Sequence, residues 1–203
     1  YNTPMIRANA LLDRSFFARD TRAVARDLLG QRLVRIDRGQ RVSGLIVETE
    51  AYRGEEDQAC HCRAGKTERT RVMYGPPGVA YVYFVYGMHW LLNFVTEEQG
   101  FPGAVLIRAL VPREGRDLIA QRRSGQPEER WTDGPAKLCQ ALNIGGAFNG
   151  VDVCSPDGKL FLEKGQRVPA GAIKQEARVG IDQVPEPWKS IPWRFLVDPH
   201  QFS

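Results

Sequence analysis

The chain lacks any run of about 18 apolar residues, so no membrane-crossing helix is expected. Ala8–Leu12 is too short and too poorly flanked for a secretory signal. There is no internal repeat, heptad, low-complexity tract or glycine-rich nucleotide fingerprint. Cysteine is scarce: Cys60, Cys62, Cys139 and Cys154 include no C-x-x-C pair. A chain of 203 residues needs no disulfide framework, and a reducing compartment is the default. Histidine is scarcer still, with only His61, His89 and His200. In Cys60-His61-Cys62, three consecutive side chains do not converge well on one ion, and no second ligand pair exists. No metal is therefore expected. A Cys–His nucleophile fails on the same geometry, because neighbours on an extended chain point apart. His61 is read as a hydrogen-bonding group, and the flanking cysteines as small packing residues.

What is present is an ordinary globular composition, 42% hydrophobic and 26% charged, with a formal charge of +4. That mild excess permits a polyanionic partner without demanding one. Helices are predicted from Asp20 or Thr21 to Leu29, from about Arg113 to Arg122, and from about Gly134 to Leu142 with Pro135 in its first turn. Strands are predicted at Arg32–Ile36, Val42–Tyr52, Val79–Tyr86, Trp90–Val95 and Ala104–Leu110, with short strands later, ending in Trp193–Val197. The first dozen residues read as an irregular arm. Residues 53–78 form a long, aperiodic, basic connection, which in a compact domain is usually functional. With no clear linker, residues 1–203 are expected to form one α+β domain built on a largely antiparallel sheet.

The stretch Leu45-Ile46-Val47-Glu48-Thr49-Glu50-Ala51-Tyr52 is the most informative. Strand alternation places Glu48, Glu50 and Tyr52 on one face, with successive same-face residues roughly 6.5–7 Å apart. At that distance one carboxylate raises the pKa of the other, as a general base requires. Alternation does not say which glutamate is the base, and an isolated E-x-E is more often a solvated face.

Other signals weigh against that bland reading. In Tyr81-Val82-Tyr83-Phe84-Val85-Tyr86-Gly87-Met88, Tyr81 and Tyr83 share a face, and Gly87 allows a turn that projects Tyr86 outward. An aromatic at such a tip suits a wedge into a base stack. Tyr81 is read as a core tyrosine with a satisfied hydroxyl. Arg108, inside Val105-Leu106-Ile107, demands a carboxylate or anion. Asn93 follows two leucines and is either a satisfied buried amide or a pocket wall. Arg63, Lys66, Arg69, Arg71 and Lys137 are candidates for phosphate contacts, though surface lysines and arginines are usually just solvated.

These motifs, IVETEAY (46–52), His61, AYVYFVYGMHWLLN (80–93), VLIRAL (105–110) and GPAKLCQAL (134–142), resemble the alkyladenine (3-methyladenine) DNA glycosylase family of mammalian type. The match runs in order along nearly the whole chain and is most similar to a bacterial member. The resemblance implies a single-domain fold with a curved sheet surrounded by helices and no helix-hairpin-helix motif. It implies a monofunctional enzyme that flips alkylated or deaminated purines from duplex DNA and hydrolyses the N-glycosidic bond, with no cofactor. Glu50 corresponds to the general base and Arg108 to an arginine near the catalytic water. Tyr52, His61, Tyr83 and Asn93 correspond to base-binding residues, and Tyr86 to the intercalating side chain, with Glu48 in a supporting role. His89, Trp90, Cys60 and Cys62 depart from the mammalian pattern, which bears on substrate range. The expected setting is a monomer on damaged double-stranded DNA, without a membrane, in the cytoplasm at the bacterial nucleoid, or in a eukaryotic nucleus.

Two rival readings are a non-catalytic nucleic-acid-binding domain and a two-carboxylate hydrolase of ordinary sugars using Glu48 and Glu50. The first leaves the E-x-E-x-Y face unexplained. The carboxylate spacing fits the second, but the wedge and the basic loop argue against it.

Overall fold

The computed structural model describes residues 11–155 and 157–202. The arm expected over the first dozen residues lies almost wholly outside them. The β-branched and apolar run of the long strand builds the centre of the fold. Strands β1 (Arg32–Asp37) and β2 (Gln40–Arg53) form an antiparallel hairpin. Arg38 and Gly39 at its turn both have positive φ, 51° and 79°, which matches the twist of the flanking strands. Strand β5 (Gly103–Glu114) covers one edge of β2. The other edge takes β1 first and then β8 (Arg194–Leu196) opposite Glu48–Glu50. Both edges of β2 are thus occupied where the two glutamates sit.

Strands β3 (Ala80–Val85) and β4 (His89–Val95) form a second hairpin, joined to the sheet only where β4 meets β5 at Ala104–Leu106. Strand β6 (Leu160–Glu163) pairs with β1, and β7 (Lys174–Glu176) with β8. Every pairing is antiparallel, and the expected α+β class holds.

Among the described residues, four short helices accompany the sheet. They are α1 (Arg14–Phe17), α2 (Thr21–Asp27), α3 (Arg116–Arg122) and α4 (Pro135–Ala141). The carboxylate of Asp20 caps α2 by accepting from the amides of Arg22 and Ala23, satisfying otherwise orphaned donors. Val24 and Ala25 of α2, and Leu138, Cys139 and Ala141 of α4, bury against the main core.

One boundary differs from expectation: α3 starts at Arg116, because β5 continues as strand through Arg113 and Glu114. Glu114 is held in the sheet by Arg41 Nε (3.1 Å) and by Ser43 Oγ (2.5 Å). Pro112 is tolerated because β4 pairs with β5 only as far as Leu106, so the missing N–H breaks no bond to β4. Gly115, at φ 69°, then turns the chain into the helix.

Beside the main core lies a smaller cluster of Cys60, Cys62, Met73, Val79, Tyr81, Val95 and Ala104, with Tyr52 and Tyr83 packed against it. Both cysteines are buried as packing residues should be. Their sulfurs, however, are joined in a disulfide that spans His61, where two unlinked thiols were expected.

Candidate active site

Glu50 is fully buried, and two hydrogen-bond donors and one guanidinium converge on its carboxylate. The Val179 amide donates to Oε1 at 2.7 Å, and the Tyr52 hydroxyl donates to Oε2 at 2.7 Å. Arg108 Nη1 lies 3.4 Å from Oε1. An ionised carboxylate offers about four lone-pair positions, and two are taken by these hydrogen bonds, which leaves room for a further donor such as water. Burial pushes the Glu50 pKa up, against the opposing pull of Arg108, Val179 and Tyr52, while Glu48 adds to the rise. The result is a carboxylate held in a fixed geometry with raised basicity.

Glu48 shares that face but plays a different part. A bulge in the β2–β5 register falls at Glu48. Its Oε1 accepts from Arg108 Nε at 2.8 Å and from Arg194 Nη1 at 2.9 Å. Burial disfavours the Arg108 charge, but Glu50 and Glu48 more than offset this and raise its pKa. The cation demanded by the apolar VLIR strand is therefore clamped by both glutamates. The structure separates what alternation left equivalent: Glu50 is the enclosed acid, and Glu48 anchors two arginines.

Tyr52, Arg108 and Val179 line a cavity of about 310 Å³, together with His61, Tyr83 and Asn93. That size is at the lower end of the roughly 300–1,000 Å³ common for small-molecule sites. The rings of His61 and Tyr83 meet edge to face at 4.4 Å between centroids. His61 Nδ1 sits 3.1 Å from the Tyr81 hydroxyl, so Tyr81 is the satisfied core tyrosine expected. Burial, with Arg69 and Arg63 nearby, pushes the His61 pKa down to about 4, so its ring is neutral at neutral pH. Asn93 is buried and donates from Nδ2 to the Tyr81 carbonyl at 3.1 Å.

Tyr86 reaches the rim of this cavity and is 88% exposed, at the tip of the β3–β4 hairpin. Its φ of 52° is followed by 68° at Gly87, a turn in which glycine carries part of the left-handed requirement. Phe84 and Trp90 stack on the opposite face of the hairpin, 4.6 Å apart. Trp90 lies over Gly145 and Gly146, where a Cβ at Gly146 would come within 2.6 Å of the indole. A larger groove of about 940 Å³ opens on that side, lined in part by His89 and Trp90. Its carboxylate, Asp37, is engaged by Arg122 and Arg35, so no free acid is offered there.

The basic candidates are dispersed. Of Arg63, Lys66, Arg69, Arg71 and Lys137, only Arg63 lines the cavity. Arg69 packs on the Tyr83 ring at 5.4 Å, and Lys66 lies over Tyr74 at 5.7 Å. Arg71 pairs with Glu68, and Lys137 with Asp133 at 2.7 Å. Sequence reasoning missed Val179, Arg178 and Asp57 entirely. Arg178 carried the same signal as Arg108, a lone arginine beside apolar residues in Ala177-Arg178-Val179-Gly180-Ile181.

The sequence model described as methylpurine-DNA glycosylase (MPG) matches residues 15–201. A protein of Desulfitobacterium hafniense (strain Y51) is 47% identical over 94% of this chain and 97% of its own length. One from Methanocella arvoryzae is 48% identical over 91% of each, and one from Chlamydia abortus 46% identical over 92% and 98%. All three bear the name "Putative 3-methyladenine DNA glycosylase". With nearly every residue covered, the chain belongs to the methylpurine-DNA glycosylase family.

Proposed function

We propose that this protein is a monofunctional DNA glycosylase that releases alkylated and deaminated purines, namely 3-methyladenine, 7-methylguanine and hypoxanthine, from duplex DNA. It acts as a monomer, wherever the genome lies. The observation that carries this reading is the buried Glu50 carboxylate, set by two hydrogen bonds and the Arg108 cation beside an aromatic pocket open to solvent. The flipped purine stacks against Tyr52 and lies between Tyr52 and the His61–Tyr83 pair. Glu50 takes a proton from one water while that water's oxygen bonds to the anomeric carbon. The N-glycosidic electron pair leaves with the purine.

A methylated purine cation leaves as a neutral base and needs no acid. For hypoxanthine the leaving nitrogen requires a proton from solvent, because His61, neutral above about pH 4, holds none to spare. Arg108 holds Glu50 ionised, and Asn93, fixed by its bond to the Tyr81 carbonyl, crowds the exocyclic amine of unmodified guanine. Tyr86 occupies the gap left in the duplex and offsets part of the few kcal/mol that unstacking costs. Phosphate contacts from the basic side chains make binding weaken with salt.

The test is incubation of the protein with methylated duplex DNA and with a hypoxanthine duplex, read for free base. Release of 3-methyladenine, 7-methylguanine or hypoxanthine is the expected result. Binding without release of any of them would sink the proposal and favour a non-catalytic DNA-binding domain.

A further inference from the structure

Arg178 is a wholly buried guanidinium that touches β2, the loop carrying Asp57 and the segment holding Trp188 and Trp193. Its Nη1 and Nη2 bind the two oxygens of the equally buried Asp57 at 2.6 and 2.9 Å. Nη1 also donates to the carbonyl of Ala51, at 3.0 Å, between Glu50 and Tyr52 on β2. Nη2 donates to the Trp188 carbonyl at 3.2 Å. The guanidinium carbon lies 4.7 Å from the centre of the Tyr52 ring and 5.2 Å from that of Trp193. The next residue along, Val179, supplies the amide bonded to Glu50. Asp57 in turn accepts from the Ala59 amide with Oδ1, and its carbonyl accepts from Cys60, so it organises the loop that ends in His61.

Stability alone is a poor explanation for this arrangement. A buried ion pair often contributes no more to folding than an apolar replacement of similar volume. Here one donor, Arg178 Nε, is buried with no acceptor among the described residues, which adds a cost. What the pair does supply is register: one side chain fixes the height of Tyr52, the path of the Val179 strap and the root of the His61 loop.

We propose that Arg178, through its pairing with Asp57, is a positioning residue for base release. It acts through Val179 on Glu50 and through its ring contact on Tyr52. The inference rests on the glycosylase reading above. Its consequence reaches Glu50 because the Val179 amide stabilises the ionised carboxylate. The other charged or titratable groups facing Glu50 are Glu48 and Tyr52 on β2, Arg108 on β5, Arg194 on β8 and Tyr83 on β3. Of these, Tyr52 rests on the Arg178 guanidinium, and Arg194 is tied to the same segment through its bond from Nε to the Ala177 carbonyl at 2.9 Å.

The experiment measures single-turnover release, with enzyme in excess, of whichever purine the wild-type protein releases fastest. Arg178→Met, Arg178→Lys and Asp57→Asn are compared with wild type across pH, and binding to a duplex carrying an abasic-site analogue is measured alongside. Misplacement by about 1 Å is enough for a loss on the order of 10²-fold, so that loss is expected for Arg178→Met, with a smaller loss for Arg178→Lys. Affinity for the abasic duplex should stay within a few-fold of wild type. The acid limb of the rate profile should move to higher pH, because a Glu50 without the Val179 amide protonates more readily. A folded Arg178→Met with wild-type rate and limb would overturn the proposal. If Arg178→Met does not fold, Arg178→Lys decides, and an unshifted limb in that variant overturns it equally. Wild-type protein that releases no purine would instead refute the glycosylase reading, an outcome visible in the same assay before any variant is considered.

Discussion

Strand β2 and the β3–β4 hairpin both contribute to the pocket, yet they are built in opposite ways. At Glu50, β2 is paired on both edges, by Leu106 of β5 and by Arg194 of β8, and its side chain is fully enclosed. The hairpin joins the sheet along one edge of β4, with β3 tied to residues 149–151, and its tip presents Tyr86 and Met88 to solvent, 88% and 66% exposed. The proposed general base, Glu50, thus sits in a strand paired on both sides. The side chain proposed to enter the duplex, Tyr86, sits at the solvent-facing tip. The contrast implies that damage to β2 should harm chemistry and folding together, while damage at the hairpin tip should harm flipping alone.

The largest effect should come from Glu50→Gln. Removing a positioned general base costs about 10²–10⁴-fold in rate. Single-turnover release should fall by that amount while lesion DNA is still bound, and near-wild-type release by the variant would remove Glu50 from the mechanism.

Next is Arg108→Met, which leaves Glu50 and Glu48 without their shared cation. Orphaning one member of a buried pair costs about 3–5 kcal/mol, and the low end applies because Arg194 still holds Glu48. For a domain of this size that is roughly a 6–12 °C fall in melting temperature. An unchanged melting temperature would mean that β2 is less constrained than its contacts indicate.

Tyr86→Ala should leave the melting temperature nearly unaltered, within about 0.5 kcal/mol, since an exposed tip makes few native contacts. Release from well-paired lesions should fall about tenfold, corresponding to about 1.4 kcal/mol of lost stacking, and release from mismatched lesions by less. Equal losses on both substrates, or a large loss of stability, would break the contrast between the two regions.

Much of β2 was legible in the sequence because period-two alternation is a local property, and a two-faced strand displays its site directly. The hairpin was legible for the same reason, with Gly87 marking the turn. The strand β5 boundary was not, because the ion pair and hydroxyl hydrogen bond that hold Glu114 in the sheet come from Arg41 and Ser43, distant in sequence. The Cys60–Cys62 disulfide was also missed, because spacing that gives no knuckle or framework says little about two sulfurs within one turn. Arg178 and Asp57 are 121 positions apart, and no local pattern announces that they meet. Arg108 and Arg178 illustrate the limit: a cation among apolar residues signals a buried partner, but only the fold supplies its name. Which glutamate is the enclosed one likewise depends on the bulge at Glu48 and on the strap carrying Val179.

The general-base role of Glu50 is tested most directly by the pH dependence of single-turnover base release, in wild-type protein and in Glu50→Gln. Burial raises the pKa of Glu50 above the ordinary 4.5. A base must be ionised to accept a proton, so wild-type release should be full at neutral pH and decline as the pH falls, half-lost at a value above 4.5. The residual rate of Glu50→Gln should lack that limb. A wild-type rate that stays flat through the acid range, or a limb that survives unchanged in Glu50→Gln, would contradict the assignment.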